Sequence, residues 1–294
     1  MCWGWSVTDP RVGLLGATSL VGKCLIPLLI NSGARVLAFS RQPGEPVGDG
    51  LAWRNLSDSS SANTEQLDNW ICVAPIWVLP EHFPFLEASG AHRVVVLSST
   101  SRFTKVDSGD MAETAVAARL IEAEDRVVAW AKSRGVEWVI LRPTLIYGLG
   151  RDKNISEIAR FIRRFGFFPV FGQAQGLRQP IHAENVAATC VSALQAPDAA
   201  NRAYNISGGE TLSYREMVAR VFVALGRRPR LLTVPLWVFR LAVSVLRCLP
   251  RYRQWSAAMA ERMNRDLVFD HTDATRDLGF KPMGFSLKAE DSPG

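Results

Sequence analysis

Gly16-Ala17-Thr18-Ser19-Leu20-Val21-Gly22 is the stretch whose residue types come nearest to a defined chemistry. It follows the apolar run Val12 to Leu15 and opens an amphipathic segment, Leu20 to Asn31. Small residues at such a turn let the backbone approach a pyrophosphate closely, and the helix N-terminus offers free N–H groups to hold it. An ordinary tight turn is the alternative, but strand, turn and helix stand in the order a dinucleotide needs. Gly16, Thr18, Ser19, Leu20, Val21 and Gly22 are therefore the expected cofactor-binding residues. The next apolar run ends Ala38-Phe39-Ser40-Arg41, with no carboxylate where a ribose-binding acid would favour NAD. Ser40 and Arg41 offer a hydroxyl and a bidentate cation to a 2′-phosphate, so NADP is expected rather than NAD. A solvated surface arginine is the other reading of Arg41.

The elements that must position these residues follow from periodicity. Short apolar runs predict strands at Arg11 to Leu15, Arg35 to Phe39, Leu51 to Trp53, Trp70 to Ala74, Arg93 to Leu97 and Glu137 to Leu141. Amphipathic stretches alternate with them, and in Leu20 to Asn31 the side chains Val21, Cys24, Leu25, Leu28 and Leu29 share one face, with Pro27 a candidate kink. This alternation predicts an α/β fold, a Rossmann-type doubly wound parallel sheet. After Gly150 the pattern shifts to helices near Ile155 to Phe165, Ala183 to Leu194, Tyr214 to Leu225 and Leu236 to Leu249, with extended pieces at Gln179 to His182 and Ala203 to Ile206. The division expected is 1–150 for the dinucleotide-binding domain and 151–294 for a smaller, mostly helical substrate lobe, with the chain free to cross back.

Further motifs recur in order along nearly the whole chain. They are Val94-Val95-Val96-Leu97-Ser98-Ser99-Thr100, Leu141-Arg142-Pro143-Thr144-Leu145-Ile146-Tyr147-Gly148, Gln179-Pro180-Ile181-His182-Ala183-Glu184-Asn185-Val186-Ala187 and Tyr204-Asn205-Ile206-Ser207-Gly208-Gly209-Glu210. With the glycine-rich turn, they resemble the extended and atypical short-chain dehydrogenases/reductases, the nucleotide-sugar epimerase/dehydratase group. Ser19 stands where that group has its middle glycine, and Asn185 where it has aspartate. The resemblance implies that Asn55 and Leu56 border the adenine, that Ala74 and Pro75 line the ribose side with Ser98 nearby, and that Pro143 and Thr144 approach the nicotinamide. It also implies a small-molecule substrate, a nucleotide-linked sugar or a similar polar metabolite, and in many members an oligomer paired through two long helices.

The group's usual acid/base pair, tyrosine with lysine four residues on, is missing. The tyrosines are Tyr147, Tyr204, Tyr214 and Tyr252, followed at that spacing by Arg151, Gly208, Val218 and Ser256. Aligning Glu124 with the group's glutamate puts Val116 and Leu120 where tyrosine and lysine would stand. Two readings follow. In one, Thr100, Lys105 and Tyr147 replace the lost pair: hydride moves at the nicotinamide, and Thr100 holds a substrate hydroxyl or carbonyl. Arg151, Arg178 and His182 then line the substrate. In the other, the protein keeps the fold and the cofactor as a scaffold or assembly factor, without turnover. Each side chain also has a structural explanation: Lys105 as a solvated loop residue, Tyr147 as core, His182 as a lobe-junction residue, and Arg151 and Arg178 as surface charges.

Composition narrows the setting. The 294 residues are 48% hydrophobic and 21% charged, enough for a sizeable core. The five cysteines form no C-x-x-C pair, so neither zinc nor a dithiol centre is expected. The first residues lack the basic start and apolar stretch of a secretory signal, and a cytoplasmic protein is expected. The net charge of +6 permits polyanion contact, yet no nucleic-acid module is recognisable. The charge is concentrated instead between Glu216 and Glu261, where Arg220, Arg227, Arg228, Arg230, Arg240, Arg247, Arg251 and Arg253 occur without a carboxylate. Pro235 to Pro250 brackets an apolar stretch too short to span a bilayer, whose Arg240, Ser244, Arg247 and Arg251 form a polar stripe. This predicts either a helix packed on the smaller lobe or peripheral contact with an anionic membrane.

Overall fold

Strong alternation of β-branched runs with amphipathic stretches produces the sheet that the sequence predicts. The computed structural model describes residues 10–41, 50–55, 66–237 and 257–291. The first half runs β1 (Arg11–Leu15), α1 (Leu20–Asn31), β2 (Arg35–Ser40), β3 (Leu51–Asn55), β4 (Asn69–Cys72), α2 (Phe83–Ala88), β5 (Arg93–Leu97), α3 (Ser101–Thr104), α4 (Met111–Arg134) and β6 (Glu137–Pro143). The second half adds β7 (Ile146–Tyr147), α5 (Ile155–Phe165), β8 (Phe168–Phe171), β9 (Leu177–Arg178), β10 (Ile181–His182), α6 (Ala183–Gln195), β11 (Arg202–Ile206), β12 (Leu212–Ser213), α7 (Tyr214–Ala224) and β13 (Leu231–Val234). Helices Ala257–Arg262 and Thr272–Leu278 follow.

Seven strands pair in parallel in the order β11-β6-β5-β4-β1-β2-β3. Because successive side chains of a strand point to opposite faces, β1 sends Val12 and Leu14 into one buried cluster and Leu15 into the other. The first cluster lies under α1 and α6, the second under α4, so helices cover both faces. Gly13 is needed where it stands: a Cβ there would lie 2.5 Å from the Trp70 ring. The strand order reverses between β1 and β4, and that switch point opens a crevice at the C-terminal ends of the strands.

Several boundaries differ from the periodicity. β4 stops at Cys72; Val73 still donates to Leu15 at the end of β1, and the chain turns at Ala74-Pro75. Pro27 lies inside an unbroken α1, on its exposed side, where water can take the carbonyl that loses its donor. Beyond residue 150 the chain starts the smaller lobe with α5 and β8, which share one buried cluster with the later α7 and β13 and with Met263 and Phe285. It then returns: α6 packs on the α1 side, and β11 extends the sheet beside β6. No helix among the described residues is long and apolar enough to cross a membrane. Of the apolar stretch Pro235 to Pro250 only residues 235–237 are described, so the rest of the expected helix to Leu249 and its arginine stripe lie outside the described residues, as does Leu56.

Candidate active site

The glycine-rich turn links β1 to α1 with the close backbone approaches that its small residues allow. Gly16 has φ of 85°, and a Cβ on it would sit 2.4 Å from the Ala74 nitrogen, so only glycine lets β1 leave the sheet against the end of β4. A Cβ on Gly22 would lie 2.5 Å from the Gly16 and Ala17 carbonyl oxygens. Ser19, in place of a glycine, is the N-cap of α1: its hydroxyl oxygen accepts from the Gly22 N–H at 3.0 Å. The amides of Leu20 and Val21, in the first turn, have no intrahelical acceptor, and no carboxylate lies in that turn. This is a concave, backbone-lined, acid-free cradle, and it suits a dinucleotide pyrophosphate. Around it stand Ala74 and Pro75 after β4, buried Ser40 and exposed Arg41 after β2, and Asn55 closing β3.

A polar cavity of about 340 Å³ lies beyond the ends of β5 and β6. Its walls include Ser99 to Lys105, Asn154, Arg178-Gln179 and residues between Arg262 and Phe269. Thr144 also lines it, its hydroxyl donating to the Gln179 carbonyl. Thr100 is buried, and both its N–H and its hydroxyl donate to the Pro143 carbonyl at 3.1 Å. With its proton so used, the Thr100 hydroxyl retains acceptor capacity but no proton to donate. Lys105 is half-buried in the same wall, and burial pulls its ammonium below the usual lysine range, with Glu113 and Asp110 opposing and Arg262 adding to the effect.

Arg178 defines the opposite wall. It is buried, and its guanidinium donates to the carbonyls of Leu177 (2.7 Å), Arg265 (2.8 Å) and Arg262. Among the described residues no carboxylate pairs with it. Burial lowers its pKa to about 10. Arg262, beside it, is tied to Glu113 at the start of α4.

Behind the cavity sits Glu124, 2% exposed, which accepts from the Ser98 hydroxyl, from Arg102, and from Nε and Nη2 of Arg142 at 3.1 and 2.6 Å. Ser98 is thereby turned inward to brace the strand end. Val116 and Leu120, two helical turns and one turn earlier respectively, are apolar and packed on the sheet cluster.

The structure does not bring every expected residue here. Tyr147 is 2% exposed, donates to the Ser286 carbonyl at 3.1 Å and touches the edges of His182 and Phe285; burial raises its pKa. It is not among the cavity-lining residues. His182 caps α6, accepting at Nδ1 from the Glu184 N–H, and meets Asp291 through Nε2 at 3.0 Å. Arg151 is exposed and outside the cavity wall. Sequence reasoning missed Arg262, Asn154 and Gln179, which line it. Gln179 stood next to a motif residue, but Arg262 carried no local signal, being placed by the Glu113 pair and by Arg178.

Comparison with known proteins agrees with this geometry. Residues 84–207 match the NAD dependent epimerase/dehydratase family. That stretch of the chain is epimerase/dehydratase-like. The chain is 29% identical over 161 residues to UDP-glucose 4-epimerase of Vibrio cholerae, a match covering 55% of this chain and 47% of that protein, about half the relative's length. It is 26% identical over 252 residues to 2-alkyl-3-oxoalkanoate reductase of Stenotrophomonas maltophilia, covering 74% of this chain and 76% of the relative. The structure of MoeE5 in complex with UDP-glucuronic acid and NAD superposes with a TM-score of 0.70 at 20% identity, covering 96% of each chain. That likeness is one of fold.

Proposed function

We propose that this protein is an NAD(P)-dependent oxidoreductase or epimerase-like enzyme that uses NADP in preference to NAD and acts on a small anionic metabolite, a nucleotide-linked sugar or a similar polar compound. The observation that carries the substrate reading is Arg178. A buried guanidinium with no carboxylate in ion-pair contact among the described residues, opening on a cavity shared with Lys105 and Arg262, is completed by an anion. The names of the epimerase and reductase relatives, and the UDP-sugar and NAD in the MoeE5 complex, support the class.

The cradle residues Gly16, Ser19, Leu20, Val21 and Gly22 would hold the pyrophosphate, Ser40 and Arg41 the 2′-phosphate, and Pro143 and Thr144 would border the nicotinamide. Bound there, the nicotinamide supplies or accepts the hydride. Arg178 and Arg262 orient the anionic part of the substrate, and Thr100 accepts from its hydroxyl. Lys105, with its ammonium proton loosened by burial, supplies or receives the proton that tyrosine handles in related enzymes.

The scaffold reading draws on Val116 and Leu120, which put hydrocarbon where the usual acid/base pair stands. Incubation with NADPH deuterated at C4 and a panel of oxidised sugar nucleotides and 3-oxo acids separates the two. Stoichiometric transfer of deuterium, lowered at least tenfold in Lys105→Met, is expected. Binding of cofactor with no transfer to any member of the panel assigns the protein to the scaffold class.

A further inference from the structure

A second cavity, of about 420 Å³, lies beside the polar one, and its chemistry is opposite. Ile158 and Phe161 of α5, Phe168 and Phe171 of β8, Met217 of α7 and Met263 form most of its wall. Its polar groups are confined to Lys153, Asn154 and Glu157, all exposed, and to Tyr214.

The two cavities share their boundary. Leu145 and Asn154 line both. Arg262 faces the polar cavity while its neighbour Met263 faces the apolar one. Arg178 stacks over the ring of Tyr214 at 5.6 Å, so one contact carries the cation on one side and the apolar wall on the other. A ligand anchored by Arg178 therefore has hydrocarbon surroundings on the far side of that shared boundary. The size lies within the roughly 300–1,000 Å³ of small-ligand pockets, and an apolar lining binds by removing apolar surface from water.

We propose that this cavity holds an apolar acyl or aryl group of the same substrate whose anionic part lies against Arg178, a reading that rests on the anion site proposed above. The substrate is then amphipathic, with an anionic part and an apolar part.

Calorimetric titration of the full chain with inorganic phosphate, with n-alkyl phosphates of increasing length and with the matching n-alcohols tests it. The alcohols do not need the cations, so they report on the apolar cavity alone. Each added methylene is expected to tighten binding about fourfold in both series until the cavity is full. Ile158→Trp brings the plateau to shorter chains and leaves inorganic phosphate binding unchanged, while the wild-type series stands whether or not that variant folds. Affinity indifferent to chain length in both series overturns the proposal. Uridine displacing the longest alcohol more effectively than shorter alcohols do overturns it too, by making the occupant a nucleobase. Phosphate binding unaffected by Arg178→Gln, with the alcohol series still rising, removes the anion site and leaves the apolar subsite standing.

Discussion

Replacing Glu124 by glutamine isolates the interaction that braces the active-site wall. The carboxylate is 2% exposed, and the Arg102 and Arg142 side chains are only 18% and 16% exposed, so solvent screens the trio weakly. Glutamine keeps the shape but removes the charge and turns an N–H₂ group towards two guanidinium donors. Breaking a buried pair by removing one partner typically costs about 3–5 kcal/mol, since the remaining charge is left without compensation. The partial exposure of both arginines places this site near 3 kcal/mol. With a urea dependence of about 3 kcal/mol per molar, expected for a chain of this size, the midpoint falls by about 1 M. A companion variant, Glu124→Leu with Arg102→Met and Arg142→Met, removes every charge together and is expected to recover most of that loss. Urea unfolding followed by tryptophan fluorescence measures both. A midpoint shift below about 0.3 M for Glu124→Gln, or a triple variant weaker than the single one, refutes the claim that desolvated charge dominates here.

Two other outcomes follow from the titrating groups. Burial would raise the Asp291 carboxyl, but donation from His182 and from the Lys288 and Leu149 N–H groups holds it below the usual range. Its stabilisation is therefore present above about pH 4 and lost as the pH falls through the lower folded value. Asp291→Asn is expected to cost about 1–3 kcal/mol in urea unfolding at pH 7, with the gap to wild type closing near pH 3. For Lys105, NMR of reductively ¹³C-methylated protein should show one lysine titrating below the usual range, absent in Lys105→Arg. Glu113→Gln should move it further down, because that carboxylate opposes the shift; an upward move contradicts the assigned cause.

Much of this was legible in the sequence where the signal is local. β1, α1, β5 and α5 fall on the residues that periodicity predicts, because each helix buries one stripe and each central strand is a short apolar run buried on both faces. The glycine turn was readable because the close approach of Gly22 to the Gly16 and Ala17 carbonyls and the Ser19 cap are set within the strand, turn and helix, whereas the approach of Gly16 to Ala74 was not. The polar cavity was not. Thr100 and Lys105 come from one segment, but Arg178 and Arg262 reach the same space through contacts more than eighty residues apart in sequence. Tyr147 looked available because a tyrosine near a strand end often faces a crevice. Here residues 285–286 fold back over it and take its hydroxyl. The buried Asp291 shows the same limit, since nothing local marks a near-terminal carboxylate as a partner for His182.

The central claim is a dinucleotide site at the Gly16–Gly22 turn with a phosphate-selecting edge at Ser40-Arg41. Titration of NADP(H) and NAD(H) into wild type, Gly16→Val and Arg41→Ala tests it most directly. The account predicts one dinucleotide per chain, with NADP(H) bound at least tenfold more tightly than NAD(H). Arg41→Ala should erase that difference, and Gly16→Val should abolish binding of both. Equal affinities in wild type, or a preference unchanged in Arg41→Ala, contradict the NADP assignment, and no binding of either dinucleotide contradicts the site itself.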